Sequence, residues 1–477
     1  MPRPRGGRSA LRSAVRAAQT LGVILLALVV VAAGVWTFYN VKWNRRLAGE
    51  IENWRTVGLP LQVSEALPPP AGRTENAAPL YLRVFEIEFE AAAPTAGADV
   101  IPDAAVLRGV SPTDKETLSR YLETPDRAPL TPAVAEVLRR PEVRATLDTL
   151  QQASVLPRAD FPVNWELGFA AQMPHLGKFR EAARLVACKA LVTAQDRDVA
   201  GALGWCSTAL RMARHATQEP TLIAQLVGMA LHGMAMDAAE DIISAEAVPA
   251  EMSKPLREAV AGLDITGDYG QAMRLEVALG RATFEQLREH PEQLEGTLAG
   301  DTDGERLASG IYSTWLWNPV YAYDMATYMR LSATQYEACR LPWRQGRRTL
   351  EKMEREVAGL SYAKLTRVLA PVSERALQRR DTSLARSQLC RMALELKAYK
   401  ARNGHYPDTL AALQQHLAWD IPEDVFSGGP LIYRLSGDGF VLYSVGPDEI
   451  DNGGVAGDDG GGGANSQGTD LTWKTIN

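Results

Sequence analysis

Residues 21–39, LGVILLALVVVAAGVWTFY, are nineteen uncharged residues in succession, and they constrain this chain more than any other stretch. As a helix they extend about 28 Å, close to the ~30 Å hydrocarbon thickness of a bilayer. Such a segment has no polar face to turn to water, so it is expected to cross a membrane. Arg3, Arg5, Arg8, Arg12 and Arg16 precede it with no acid among them, whereas Lys42, Arg45 and Arg46 beyond it are diluted by Glu50 and Glu52. The positive-inside rule then places residues 1–20 in the cytoplasm and residues 40–477 outside it, in a periplasmic or other extracytoplasmic space. Trp36, Tyr39 and Trp43 fall at the depth of an aromatic belt. The rival reading is a signal peptide cleaved near Val31-Ala32-Ala33; the long apolar run and its aromatic end favour an uncleaved anchor.

Beyond the anchor the chain is too long for one hydrophobic core, and 46% hydrophobic with 23% charged residues is the composition of a folded protein. Setting aside the first twenty residues, 46 basic side chains face 57 acidic ones, a balance of −11 that gives no footprint for nucleic acid. Residues 40–73 read as a polar helix followed by a linker, since Val57 to Gly72 contains four prolines. Residues 74–381 read as helical. A helix is expected from about Glu75 through Phe89. Ser111-Pro112-Thr113-Asp114 carries a cap serine, a proline at the first helical position and an acid at the third, and Thr131-Pro132 repeats the device. From Leu176 to Ala245 apolar residues recur at helical spacing, and the Asp196-Arg197-Asp198 turn makes the first two helices an antiparallel hairpin. Further helices are expected near 252–263, 270–290, 320–340, 343–358 and 372–401. No repeat recurs at a fixed period, so the whole is an irregular helical bundle. The aromatic residues between Tyr312 and Trp343 read as core between helices, with a binding surface as the alternative.

Chemical signatures are sparse. There is no H-E-x-x-H, G-x-S-x-G, phosphate-binding loop or dinucleotide fingerprint, and Ser361-Tyr362-Ala363-Lys364 spells S-x-x-K without the K-T-G that accompanies it in acylating enzymes. The six histidines lack the paired spacing of a metal site, and the four cysteines lack C-x-x-C. No catalytic residue is assigned. Cys188 and Cys206 flank the 196–198 turn at similar heights on facing helices, so a disulfide is one possibility and two buried thiols the other.

Chain organisation sharpens over residues 382–477. Leu389, Met392, Ala393, Leu396 and Tyr399 form one apolar stripe on a helix from Thr382 to Arg402, which Asn403-Gly404 stops. Asp408 is expected to cap a second helix, Thr409 to Leu417. Leu431 to Leu435 and Phe440 to Val445 read as strands joined at Ser436-Gly437-Asp438-Gly439; Leu431, Tyr433 and Leu435 alternate, as do Val441, Tyr443 and Val445, so each strand offers that face to the helix. Asp448, Asp451, Asp458, Asp459 and Asp470 place five carboxylates within twenty-three residues. Unneutralised they repel one another, and glycine-permitted turns that aim carbonyls inward beside carboxylates are what calcium takes. The alternative is a solvated acidic tail, because Gly457 to Gly468 is of low complexity.

These residues resemble, in order, the C-terminal half of the major pseudopilin of type II secretion systems. The resemblance is carried by Tyr399-Lys400, Asn403-Gly404-x-Tyr406-Pro407, Leu410, Leu413, Pro422-x-Asp424, Phe426-x-Gly428-x-Pro430-x-x-Tyr433, Tyr443-Ser444-x-Gly446-x-Asp448, Gly453-Gly454 and Asp470-x-x-Trp473. It implies a long helix on a small antiparallel sheet whose last loop holds calcium. Asp448 and Asp470 are the aspartates most like that family's ligands; Asp451, Asp458 and Asp459 match less closely, because Val455 to Thr469 is longer than the family's loop. Glu449 replaces a glycine usual after the first aspartate. At the other end the chain departs from the family. No site of cleavage before a phenylalanine precedes Leu21, the apolar segment carries no acid, and about 340 residues separate it from Thr382.

The expected protein is therefore mainly α: a transmembrane helix, an irregular helical bundle and a small C-terminal α+β module with a short antiparallel sheet. It is read as a non-catalytic, membrane-tethered scaffold or adaptor whose module binds Ca2+. A subunit of a secretion-type apparatus and a membrane-anchored enzyme built on scattered carboxylates remain the alternatives.

Overall fold

A computed structural model describes residues 7–87, 107–245, 248–290, 315–360, 363–370, 374–455 and 470–474. In chain order the helices are α1 (Gly7–Val57), α2 (Val63–Ala66), α3 (Ala78–Phe85), α4 (Pro112–Glu123), α5 (Thr131–Arg139), α6 (Pro141–Ser154), α7 (Pro174–Gln195), α8 (Val199–Thr217) and α9 (Leu222–Ala245). They continue as α10 (Ala250–Ala261), α11 (Ile265–Glu289), α12 (Asn318–Ala338), α13 (Trp343–Ala358), α14 (Lys364–Leu369), α15 (Glu374–Asn403) and α16 (Leu410–Gln414). Strands β1 (Ile432–Ser436), β2 (Gly439–Ser444) and β3 (Leu471–Lys474) close the described chain. The protein is mainly helical, with an apolar N-terminal helix and a three-stranded antiparallel sheet. Two compact units result: residues 1–61, 280–333 and 355–370, and residues 62–279, 334–354 and 371–477. The polar gap at Leu298 to Gly304, Tyr312, and Ser361 and Tyr362 of the S-x-x-K string lie outside the described residues.

In the first unit, α1 continues unbroken from the apolar segment through the expected polar helix. Every residue from 16 to 35 is exposed. From there Trp36, Asn40, Trp43, Asn44, Leu47, Glu50, Ile51 and Trp54 turn inward at three- and four-residue steps, one stripe of a helix with a neighbour along it. That neighbour is α12, running in the same direction: Asn318 donates to Asn40 Oδ1 at 2.5 Å, Tyr323 meets Trp43 edge-on at 4.6 Å, and buried Trp54 donates its indole N–H to the Met329 carbonyl at 2.7 Å. Tyr321 and Tyr328 are core, packed around Phe284, as the aromatic content of this stretch predicts. Gly280 is required here, because a Cβ would stand 1.8 Å from the Tyr328 hydroxyl.

In the second unit, α7 and α8 form the expected hairpin. Arg197 takes the left-handed φ of 63° that a tight turn needs, and Asp198 accepts from Gly201 N at 2.8 Å to cap α8. The Ser111 signal is met in full. Ser111 Oγ accepts from Asp114 N, Asp114 Oδ2 accepts from Ser111 N at 2.8 Å, and Arg140 holds the same carboxylate through two hydrogen bonds of 2.7 and 3.0 Å. Thr131 does not repeat the device. It lies inside the helical turn that begins at Ala128, and its hydroxyl donates to Arg127 O instead of capping. The expected helix from Glu75 stops at Phe85, where Glu86 turns to φ 52°.

Of the two readings open for Cys188 and Cys206, the structure has buried thiols and no disulfide. Cys188 and Cys206 are buried free thiols, as are Cys339 and Cys390. Cys188 donates to the Leu118 carbonyl at 3.6 Å, and burial pushes both thiols of the α7–α8 pair well up from their ordinary range. They serve as small packing residues in the same core cluster.

α15 is buried on more than the single expected stripe: Cys390, Leu394 and Ala398 are covered as completely as Leu389, Met392, Ala393 and Leu396. One side faces α9 and α10 through Ser387 with His232, Arg386 with Asp237, and Arg257 with the Leu394 carbonyl. The sheet covers another, with Lys400 Nζ donating to Asp438 O at 2.8 Å. Gly404, at φ 81°, ends the helix and donates to Lys400 O. The second small helix is shorter than expected, and Thr409, not Asp408, caps it by accepting from Ala412 N.

Candidate metal centre

The sheet sets the frame for the acidic loop. Gly437-Asp438 is the two-residue turn, so Ser436 pairs with Gly439, Leu435 with Phe440 and Tyr433 with Leu442. Cross-strand partners share a face. The face of Tyr433 therefore carries Phe440 and Leu442, both at most 1% exposed and part of the core against α15. This overturns half of the face assignment. Tyr433 lies toward the core as expected, but Val441 and Tyr443 point to the opposite side. β3, unanticipated as a strand, pairs Trp473 with Leu442 and puts the indole in the same core.

The outward face of β2 is covered by the acidic loop itself. Gly454, at φ 76°, lies so close that a Cβ would be 3.1 Å from the Tyr443 ring and from Val441. Arg434 Nη2 donates to Gly453 O at 2.7 Å. Asp470, 3% exposed at the start of β3, fastens the loop: Oδ1 accepts from Asn452 N at 3.1 Å, Oδ2 from Gly454 N at 2.6 Å, and its own N–H donates to Val455 O. Asp451 Oδ1 accepts from the Tyr443 hydroxyl at 2.9 Å and from Gly453 N at 2.8 Å. Asp448 Oδ1 accepts from Ile450 N, and Oδ2 stands 3.4 Å from Asn452 Nδ2. Asp458 and Asp459 lie outside the described residues.

Asp470 lies within the fields of Asp451 and Asp448. Burial first, then the charges of Asp451 and Asp448, hold the Asp470 carboxyl above its ordinary range, against the two amides that favour its ionised form. Burial, the hydrogen bond to Asp451 and the charges of Asp451 and Asp470 push Tyr443 up to about 12, so the phenol keeps the proton it donates. As ligands the described residues are incomplete. Among them, no three carboxylate, imidazole or thiol groups converge closely enough to hold a metal ion.

Glu449 takes φ 63°, the conformation that explains why glycine suits this position. Its side chain pairs with Arg344 at 2.7 Å and lies 3.9 Å from Arg347, both on α13, while Trp343 meets Phe426 edge-on at 5.3 Å. The module is thus fixed to the helical body by α13 as well as by α15.

One residue of comparable importance carries no ligand signal in the sequence. Asp424, 2% exposed, accepts from Ser444 Oγ at 2.5 Å, Ser427 Oγ at 2.8 Å and the amides of Phe426, Ser427 and Val445. Its own N–H donates to Gly429 O and its carbonyl accepts from Gly428 N. It ties the arch before β1 to the end of β2. Elsewhere, an open groove of about 800 Å3 between α5, α6, α7 and α8 carries Asp148 and Asp196, both exposed to solvent. His215, His232 and His175 are core groups held by Tyr81, Ser387 and Glu219 respectively.

No protein-family model, curated protein or solved structure matches the chain.

Proposed function

We propose that this protein is a membrane-tethered, extracytoplasmic scaffold or adaptor that carries a pseudopilin-like module and does no covalent chemistry. The observation that carries the reading is the division of α1: twenty residues exposed and almost wholly apolar, then a stripe that packs on α12 without a break in the helix. A cleavable leader has no reason to continue as a structural helix of the body. The test is alkaline extraction of membranes followed by mass measurement. The chain should stay with the lipid at full length, and a soluble chain beginning near Gly34 would defeat the reading.

The likeness of the module to pseudopilins is supported by the order of its motif residues and by a long helix laid on a short antiparallel sheet. Calcium is proposed at Asp448, Asp451 and Asp470, with Asp458 and Asp459 as further ligands, because the charges of Asp451 and Asp448 already act on Asp470 in the described part of the loop. An ion at a hundredfold its dissociation constant stabilises the fold by about 2.7 kcal/mol. Because α15 is built into the body, the melting experiment belongs on the whole chain in detergent. Calcium should raise the transition and Asp448→Asn should abolish the response; equal melting in calcium and in chelator retires the ion. Co-purification with a secretion-type assembly would move the reading from scaffold to subunit.

A further inference from the structure

We propose that the turn Trp315–Trp317 is a second contact with the bilayer, seated in the membrane interface beside α1. The inference rests on the reading of α1 as a span and adds a lipid-facing site contributed by a segment far away in sequence. Its first support is a register. Trp36 donates its indole N–H to the Leu316 carbonyl at 3.0 Å, and the contacts that follow, Asn40 with Asn318, Trp43 with Tyr323 and Trp54 with Met329, climb both helices in step. The 315–317 turn is therefore the lowest described point of this partner segment, on the side of α1 that enters the membrane.

Its second support is depth. Arg16, the last arginine before the apolar run, and Trp36 are twenty residues apart, about 30 Å of helix and one hydrocarbon thickness. With Arg16 at the inner boundary, Trp36 stands at the outer one, where tryptophan is favoured. Helical side chains lean toward the N-terminus, here toward the membrane, so the indole and the carbonyl it reaches lie level with that boundary or below it. Lys42 and Arg46 sit about 9 and 15 Å higher, within headgroup reach, with the Lys42 ammonium 4.9 Å from the Trp43 ring.

Its third support is surface chemistry. At this depth Leu316 is 50% exposed, and Phe38 and Tyr39 on α1 are 62% and 45% exposed. A leucine between tryptophans, turned outward at the level of an aromatic belt, suits acyl chains and glycerol backbones better than water. The occupant is accordingly the lipid of the same bilayer that α1 crosses.

The test uses the full chain in nanodiscs of phosphatidylcholine and phosphatidylglycerol, with single added cysteines carrying an environment-sensitive fluorophore. The four native thiols are buried, which keeps labelling to the added site. Leu316→Cys is compared with Val29→Cys in the middle of the span and with Glu52→Cys, about 24 Å beyond Trp36. Lipids spin-labelled near the headgroup should quench the Leu316→Cys probe at least twofold more than the Glu52→Cys probe, and lipids labelled deep in the chain should quench Val29→Cys most. Quenching of Val29→Cys with Leu316→Cys no different from Glu52→Cys overturns the interfacial contact and leaves the span standing. Failure of Val29→Cys to be quenched removes the span and this inference with it.

Discussion

Asp324 is wholly buried on α12, and its carboxylate accepts from Leu365 N at 2.9 Å, Thr366 N at 3.0 Å and the Thr366 hydroxyl at 2.6 Å, capping α14. Burial outweighs these hydrogen bonds and pushes its pKa up to about 6. Between the ordinary carboxylate value and about 6 the folded protein holds a proton that the unfolded chain has released. The group's contribution is therefore complete at low pH and is lost as pH rises through 6, about 3 kcal/mol in all. His215 and His232, depressed by burial to about 4 and about 3, act in the opposite sense: their contribution is present above the ordinary histidine range and lost on acidification. A single variant separates the two. In urea unfolding of the detergent-solubilised chain, wild type should lose about 2 kcal/mol relative to Asp324→Asn between pH 4 and pH 7; parallel curves would show that the carboxyl does not titrate in this window. At Gly454 the demand is steric. Its φ of 76° and the 3.1 Å approach to Tyr443 and Val441 predict that Gly454→Ala costs about 1–3 kcal/mol, read as a lowered melting temperature.

Among the elements, the arch tied by Asp424 is the most exposed to a single change. Asp424→Ala leaves the Ser444 hydroxyl and the buried Val445 amide without their acceptor, and at about 1–3 kcal/mol for each stranded group the module should loosen before the helical body does. Hydrogen exchange that rises over 424–445 while α7 and α8 stay protected is the expected result; uniform exchange would mean the arch is not a separate unit of stability. The same elements show what the sequence made legible. The Ser111 capping box, the 196–198 turn, the Gly404 stop and the 437–438 hairpin were readable because each is fixed by residues within four positions of one another. The face of β2 was not, since every residue of that strand is buried and only its register with Tyr433 decides which side meets α15. The role of Asp424 was hidden for a related reason: two of its partners, Ser444 and Val445, lie some twenty residues away at the end of a strand whose pairing had first to be known. For the acidic loop, the sequence marked Asp448, Asp451 and Asp470 as a group, but not that Asp470 would fasten backbone amides or that Tyr443 would take Asp451.

At the scale of the molecule, the long first helix has two halves of different character. Its first half satisfies the length and composition of a membrane span, and its second half carries a stripe that needs the α12 partner about 280 residues later, which is why residues 40–57 looked merely polar in isolation. The four thiols are free packing groups, so the body's cohesion rests on burial and on buried hydrogen bonds such as those of His215 and Arg386, not on covalent cross-links. The central claim is that this helix crosses the membrane once and leaves the body outside. Alkaline phosphatase, which folds actively only outside the cytoplasm, fused after Asn477 in a bacterial host measures it directly. The account predicts full enzyme activity that remains with alkali-washed membranes; an inactive fusion, with the same reporter active when placed before Leu21, would contradict it.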